Sequence, residues 1–155
     1  MKIELINAQH ADLKKVLSDT LPFLANLDVY YPSISTWFTQ SFLQGLSDGK
    51  NVLLAARDPN GRLEGVALGK KTVSEVKIQC VRVASATANS GLGIALMDRM
   101  MGVLECEKPV ATVSEEMLHL YSRIFVKRYG FSLDDVVKGA YRNRKLEYYF
   151  NGVRA

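Results

Sequence analysis

Alternating hydrophobic and polar residues predict seven short strands along the chain. Ile3 and Leu5 alternate with polar neighbours near the beginning, as in a half-buried strand. Residues 51–56 and 63–68 flank the turn sequence Asp58-Pro59-Asn60-Gly61, which is typical of a hairpin. The other strands are predicted over residues 76–84, 109–113, 133–139 and 145–150.

Hydrophobic residues at helical spacing predict four helices between these strands. The first helix begins near Leu13, and Pro22 is expected to break or kink it. The second follows a serine cap and ends near Gly45. The third covers residues 94–104, and the fourth covers residues 117–129 and is closed by a glycine.

The composition is that of one globular domain spanning residues 1–155. The chain has 155 residues, of which 48% are hydrophobic and 23% are charged, with four prolines and no internal repeat. These values exclude a disordered, collagen-like or coiled-coil protein. The element order predicts an α/β (α+β) structure in which one mixed sheet carries helices on both faces.

The hydrophobic runs are too short to cross a membrane. The run at residues 52–56 is far below the ~20 apolar residues that a spanning helix needs. Glu4 interrupts the apolar stretch that a signal peptide would have at the N-terminus. We therefore expect a cytoplasmic protein without a membrane partner.

The net charge of +4 is concentrated in the last third of the sequence. From residue 123 onward there are eight basic residues and three acidic ones. The basic residues are Arg123, Lys127, Arg128, Lys138, Arg142, Arg144, Lys145 and Arg154, and the acidic ones are Asp134, Asp135 and Glu147. This segment suits either a phosphorylated cofactor, a nucleic acid or an ordinary solvated surface.

The two cysteines, Cys80 and Cys106, are too few and too scattered for a disulfide framework or a metal site. Both are predicted to be buried thiols, and no metal is expected.

The glycine-rich segment Gly91-Leu92-Gly93 lies between a predicted strand and a predicted helix. Backbone N–H groups at such a junction bind pyrophosphate, and glycine lets the phosphates approach them. The segment lacks the third glycine of a dinucleotide-binding motif and the lysine of a P-loop. A tight turn without a ligand is therefore the alternative interpretation.

With its flanking residues, this segment resembles the acetyl-CoA motif of the GNAT N-acyltransferase family. That motif is usually Gln/Arg-x-x-Gly-x-Gly/Ala after a Val-x-Val strand, and here Val81-Arg82-Val83 precedes Ala88-Asn89-Ser90-Gly91-Leu92-Gly93-Ile94. The helix from His119 to Phe131 matches the family's second landmark in outline, and the element order agrees over the whole chain.

The resemblance implies acetyl-CoA as co-substrate and a mostly antiparallel sheet of about seven strands, splayed between strands 4 and 5. The backbone N–H of Val81 would donate to the thioester carbonyl, and Val83 would hold the pantetheine arm. His119, Ser122 and Val126 would line the far side of the cofactor groove. The full expected set of cofactor-binding residues is Val81, Arg82, Val83, Ala88, Asn89, Ser90, Gly91, Leu92, Gly93, Ile94, His119, Ser122 and Phe125.

Three positions depart from the family pattern. Ala88 replaces Gln/Arg, His119 replaces asparagine, and Val126 replaces the tyrosine that often protonates the leaving thiolate. Tyr121 and Tyr129 are the candidates for this missing acid.

Glu115 and Glu116, after the fifth strand, are the candidates for the general base. The alternative is a structural role, because carboxylates in the first turn of a helix stabilise its dipole.

Aromatic residues are candidates for the acceptor site. A wall of this site, or else part of the core, would be formed by Tyr30, Tyr31, Trp37 and Phe38. From the last hairpin, the site would be lined by Tyr141, Glu147, Tyr148 and Tyr149.

The predicted activity is N-acetylation of a primary amine on a small molecule, peptide or protein by direct attack in a ternary complex. The alternatives are a non-catalytic acyl-CoA-binding regulatory module and a toxin that acetylates aminoacyl-tRNA. A homodimer is compatible with the sequence, and a nucleic-acid partner is not favoured.

Overall fold

A computed structural model describes residues 1–152, so Arg154 lies outside the described residues. Seven strands form one sheet in the order β1-β2-β3-β4-β5-β7-β6. Their bounds are β1 Lys2–Ile6, β2 Asn51–Arg57, β3 Leu63–Lys71, β4 Val76–Val83, β5 Val110–Ser114, β6 Leu133–Lys138 and β7 Leu146–Phe150. Only β4 and β5 pair in parallel, which confirms the predicted mixed and mostly antiparallel sheet.

Five α-helices occur in the described residues: α1 Leu13–Ala25, α2 Ile34–Trp37, α3 Leu43–Ser47, α4 Leu92–Leu104 and α5 Leu118–Ser122. A π-helical stretch, Phe38–Phe42, joins α2 to α3, and another, Arg123–Arg128, extends α5. Short 3-10 turns cover Asn26–Val29, Ser85–Thr87 and Glu115–Met117. No helix within residues 1–152 is both long and apolar enough to cross a bilayer.

The two faces of the sheet carry separate hydrophobic cores. Leu54 and Leu53 are neighbours on β2, both completely buried, and they point into different cores because side chains alternate along a strand. α4 and α5 cover the Leu54 face, whereas α1 and the segment from α2 to α3 cover the Leu53 face. Helices therefore cover both faces, as the element order predicts.

Of the break or kink expected at Pro22, the break does not occur. α1 continues through Pro22 to Ala25. Thr20 and Leu24, on either side of the proline, are completely buried. Proline removes one backbone hydrogen bond from this turn, but the packing of these two side chains keeps the turn helical. Cys80 and Cys106, expected to be buried, are partly buried, and they pack against opposite cores.

The sheet splays between its two parallel strands. β4 and β5 pair only at Lys77–Val110 and Ile78–Ala111, after which both strands continue without pairing to each other. At this point β4 contains a bulge, because Ile78 and Cys80 oppose the consecutive residues Gly69 and Leu68 and leave Gln79 as the extra residue. A bulge bends its strand, and the splay lies immediately beyond it.

Candidate active site

The backbone of β4 presents two N–H groups to the splay. The N–H of Ala84 donates to the carbonyl of Glu64 at 2.8 Å, which directs this amide towards β3. Amide directions alternate along a strand, so the N–H of Arg82 also faces β3. The N–H groups of Val81 and Val83 face the opposite side, where β5 has diverged. These are the residues that the resemblance selected as donors to the acyl-pantetheine.

The glycine loop after β4 has a backbone that requires glycine at one position. Gly91 has a φ of 89°, in the left-handed region, and a Cβ added there would meet no heavy atom within 4 Å. The loop therefore opens onto free space at Gly91. Leu92 anchors the loop to β3, because its side chain is only 7% exposed and packs against Gly65.

The N-terminus of α4 offers several backbone donors beside this space. α4 has no side-chain cap, and its first helical bond runs from the N–H of Ala95 to the carbonyl of Gly91 at 3.0 Å. The preceding amides, at residues 92–94, have no acceptor within the described part of the chain. The N–H of Ser90 is bonded to Thr87 and that of Ala88 to Ser85, so these two do not belong to the open set.

Phe125 was expected at the cofactor, but the structure places it in the core. Its side chain is 6% exposed and its ring lies 5.1 Å from that of Phe150 and 5.4 Å from that of Phe131. The π-helical stretch begins at Arg123 and changes the number of residues per turn. Regular α-helical spacing therefore does not extend from residues 119 and 122 to Val126, which is 47% exposed.

The structure separates the two tyrosines considered as general acid. The Tyr129 hydroxyl donates to Asp98 on α4 at 2.7 Å, and burial with this carboxylate raises the pKa of Tyr129 to about 12. Tyr121 is half-buried, and its pKa is raised mainly by burial, with smaller effects from Cys80 and Arg82 on β4. The Tyr129 hydroxyl is therefore engaged with α4, which leaves Tyr121 as the candidate acid.

Glu116 and Glu115 fasten the last hairpin to the end of β5. Glu116 accepts two hydrogen bonds from the guanidinium of Arg142, at 2.8 and 2.6 Å, and this pair lowers the pKa of Glu116 to about 2. Such a carboxylate holds a proton poorly and is a weak base. Glu115 accepts the backbone N–H of Leu146 at 2.9 Å. Neither interaction supports the general base role proposed from the sequence.

A different carboxylate has the properties of a base. Glu147 on β7 is 3% exposed, and burial raises its pKa above the ordinary value of 4.5. The Tyr31 hydroxyl donates to its Oε2 at 3.1 Å, and the Thr112 side chain is a second hydrogen-bond partner. The sequence proposed Glu147 only as a lining residue. Strand alternation was the available signal, but it could not show which face of β7 points towards Tyr31.

The candidate aromatic wall divides between the site and the cores. The Tyr31 ring contacts that of Tyr141 edge-on at 5.2 Å, beside Glu147. Phe38 is 1% exposed and stacks on Phe42 in the core. Tyr30 receives the guanidinium of Arg142 over its ring at 5.6 Å.

The other three candidates lie elsewhere. Trp37 packs on Phe42 beside the core under α2. Tyr148 packs against the opposite core, whereas Tyr149 is 5% exposed. Tyr31 and Tyr141 therefore lie beside Glu147.

The Cys80 side chain does not support a covalent mechanism. Burial raises the pKa of the Cys80 thiol to about 12, so the thiol stays protonated and weakly nucleophilic near neutral pH. Within residues 1–152, no group of three or more His, Cys, Asp or Glu side chains is placed to hold a metal ion.

Solved structures with the same architecture are acetyltransferases. The chain is similar to a protein described as a GNAT-family acetyltransferase from Desulfovibrio desulfuricans, with a TM-score of 0.68 and 17% identity over 96% of this chain and 97% of that one. An aminoglycoside 6'-N-acetyltransferase complexed with coenzyme A gives a TM-score of 0.63 at 14% identity, over 97% and 95% of the two chains. The ribosomal-protein-S18-alanine N-acetyltransferase from Escherichia coli gives 0.64 at 15% identity, over 96% and 92%. No protein-family sequence model and no curated protein matches the chain.

The chain has the GNAT acetyltransferase fold. The similarity covers nearly the whole chain, and it confirms the fold class and the splay between β4 and β5 that the sequence resemblance implies.

Proposed function

We propose that this chain is an acetyl-CoA-dependent N-acetyltransferase that acts on a primary amine by direct attack in a ternary complex. The observation that carries the proposal is the placement of two β4 amides, at Val81 and Val83, in the splay beside the uncapped N-terminus of α4. Acetyl-CoA supplies an acyl group activated as a thioester. The cytoplasmic location expected from the sequence belongs to the same proposal.

The backbone of the glycine loop and of β4 would bind the co-substrate. The amides of residues 92–94 suit the pyrophosphate, because they lack protein acceptors and lie at the positive end of a helix of 13 residues. The Val83 N–H would hold the pantetheine arm. The Val81 N–H would donate to the carbonyl oxygen that gains negative charge during attack, an effect typically worth about 2.7–4 kcal/mol.

Glu147 would remove the proton from the attacking amine. An alkyl ammonium has a pKa of about 10.4 and must lose a proton before it can attack. A carboxylate with a raised pKa is a stronger base than an ordinary one, and Tyr31 holds the Glu147 carboxylate in one orientation. Tyr121 would donate a proton to the leaving sulfur, in place of the tyrosine that Val126 replaces.

Two glycine variants test the binding site. Gly91→Glu should abolish acetyl-CoA binding in calorimetric titration, because it brings a bulky anion to the phosphate site. Gly49→Glu is the matched control, since Gly49 also has a positive φ, of 76°, and open space around it. Equal affinities of both variants and the wild type would show that the loop is only a turn.

Thiol release across amines, peptides and charged tRNA then tests turnover. Turnover on one class would identify the acceptor. Binding without turnover on any of them would favour the regulatory module. Turnover on charged tRNA, with a steep loss of binding as salt increases, would favour the toxin.

A further inference from the structure

A basic cleft lies next to the acceptor side of β4. Its volume is about 570 Å³, and it is enclosed by α1, the β2–β3 hairpin and the end of β4. Four basic side chains line it, from Lys15, Arg57, Arg62 and Arg82, against one acidic side chain, Asp19. We call this feature the Arg82 cleft. Arg82 was expected from the sequence to bind the cofactor, but its side chain lines this cleft, and the roles proposed above use only the backbone of β4.

The single acid does not neutralise the cleft. Asp19 is already shared by Lys15, at 3.1 Å, and Arg57, at 3.0 Å. The nearest further carboxylate is that of Glu64, which lies 3.7 Å from Arg62 and is itself buried. The lining therefore keeps an excess of positive charge.

Arg82 is the cation in this lining that is left without a protein partner. Its side chain is half-buried and forms no ion pair or hydrogen bond within residues 1–152. A guanidinium carries five N–H donors in a planar fork that matches carboxylate and phosphate oxygens. An anionic group entering the cleft would give these donors an acceptor in a partly desolvated position.

The cleft meets β4 directly beside the residue proposed to bind the thioester. Arg82 follows Val81 directly on β4, and its side chain lies on the same face as that of Cys80, two residues earlier. Cys80 packs against the core on the α1 side of the sheet, so the Arg82 side chain lies on that side as well.

We propose that the Arg82 cleft binds an anionic group on the acceptor, so that the enzyme prefers amines attached to a chain that carries carboxylates. This inference rests on the proposed acetyltransferase activity and names its substrate class. β5 lies between β4 and β7, so the two strands are at least two strand spacings, about 10 Å, apart, and the splay widens this gap at Arg82. A free α-amino acid is too short to reach both Glu147 and Arg82, whereas a peptide N-terminus followed by acidic side chains is long enough.

The size of the cleft favours a short acidic peptide over a nucleic acid. An RNA-binding surface presents several cations along a backbone, whereas three of the four basic side chains here already face a carboxylate. One open guanidinium in a small cleft suits one or two carboxylates.

The test compares two tetrapeptide acceptors that differ only in charge, Ala-Asp-Asp-Gly and Ala-Asn-Asn-Gly. The wild type should have the higher kcat/KM for the acidic peptide, and the preference should shrink as salt is added. Arg82→Gln should reduce the ratio of the two values roughly tenfold, as expected for a hydrogen bond between charged groups. Arg62→Gln, a change at a side chain 72% exposed, should reduce the ratio less and should not perturb folding. Lys138→Gln, on exposed β6, is the control and should leave the ratio unchanged.

A binding measurement separates this inference from the proposed activity. N-acetyl-Ala-Asp-Asp-Gly cannot be acetylated, and in an NMR titration it should shift the signals of Ser85 and Arg82 in the wild type but not in Arg82→Gln. Binding of this peptide, without turnover of any acceptor, would support the cleft proposal and overturn the proposed acetyltransferase activity.

Three results would overturn the cleft proposal. The first is equal kcat/KM for both peptides together with no binding of the N-acetyl peptide. The second is a loss of acetyl-CoA affinity in Arg82→Gln as large as the loss for the peptide, which would assign the cleft to the coenzyme. The third is competition by uncharged tRNA at micromolar concentration, which would identify RNA as the ligand.

Discussion

Replacing Glu147 by glutamine tests the proposed chemistry most directly. Glutamine has nearly the same size and still accepts the hydrogen bond from Tyr31, but it cannot take a proton. The change therefore removes the base while it keeps the packing of a side chain that is 3% exposed. We expect acetyl-CoA binding to stay at the wild-type level, because the backbone amides proposed to bind the coenzyme lie on other elements.

The size and sign of the effect follow from the environment of Glu147. Loss of a positioned general base typically lowers the rate by roughly 10²–10⁴-fold. In the wild type, burial raises the pKa of Glu147, so kcat/KM should rise with pH through an ionisation above 4.5. Tyr31→Phe removes a hydrogen bond that favours the ionised carboxylate, so it should move this ionisation to higher pH.

The raised pKa of Glu147 also predicts how the stability of the protein depends on pH. The folded protein binds the Glu147 proton more tightly than the unfolded chain does, so the free energy of unfolding falls as pH rises from the unfolded pKa through the folded one. Glu147→Gln should lose this pH dependence and should be no less stable than the wild type at neutral pH.

The assay is acetyl transfer to the best acceptor between pH 5 and pH 9, with urea unfolding at the same pH values. Glu115→Gln serves as the control, because Glu115 only accepts a backbone N–H from Leu146 and should keep the ionisation of the wild type. The reasoning is refuted if Glu147→Gln retains the wild-type rate and pH profile. If Glu115→Gln loses the ionisation instead, Glu115 at the end of β5 would be the general base.

Two further changes test other parts of the site. Tyr121→Phe should slow the chemical step, whereas Tyr129→Phe should leave the rate nearly unchanged, because the Tyr129 hydroxyl is bonded to Asp98; equal effects of both on kcat would contradict the assignment of the acid. Phe125→Ala should lower the free energy of unfolding by about 3–5 kcal/mol, since the ring packs among Phe131, Phe150 and Tyr121. Unchanged stability combined with weakened acetyl-CoA binding would instead restore the cofactor role first expected for Phe125.

The sequence by itself determined the features that depend on nearby residues. Strand alternation and the turn at residues 58–61 define the β2–β3 hairpin, because side-chain direction and turn geometry are local properties. The glycine loop was likewise predictable, since the φ of 89° at Gly91 is a local requirement that glycine meets without strain. The resemblance to the GNAT motif depends on the same short segment.

Only the tertiary structure decided which side chains meet. Tyr31 and Glu147 are 116 residues apart in sequence, and the ion pair between Glu116 and Arg142 joins two separate elements. Burial raises the pKa of Glu147, and the ion pair with Arg142 lowers that of Glu116, so neither shift could be obtained from residue type.

The helix after β5 shows the same limit for a local pattern. A spacing of 3.6 residues per turn placed residues 119, 122 and 126 on one face, but the chain becomes π-helical at Arg123. The packing of Phe125 between Phe131 and Phe150 fixes this segment in the folded protein. Sequence periodicity assumes a regular helix, and these distant contacts decide where the helix departs from it.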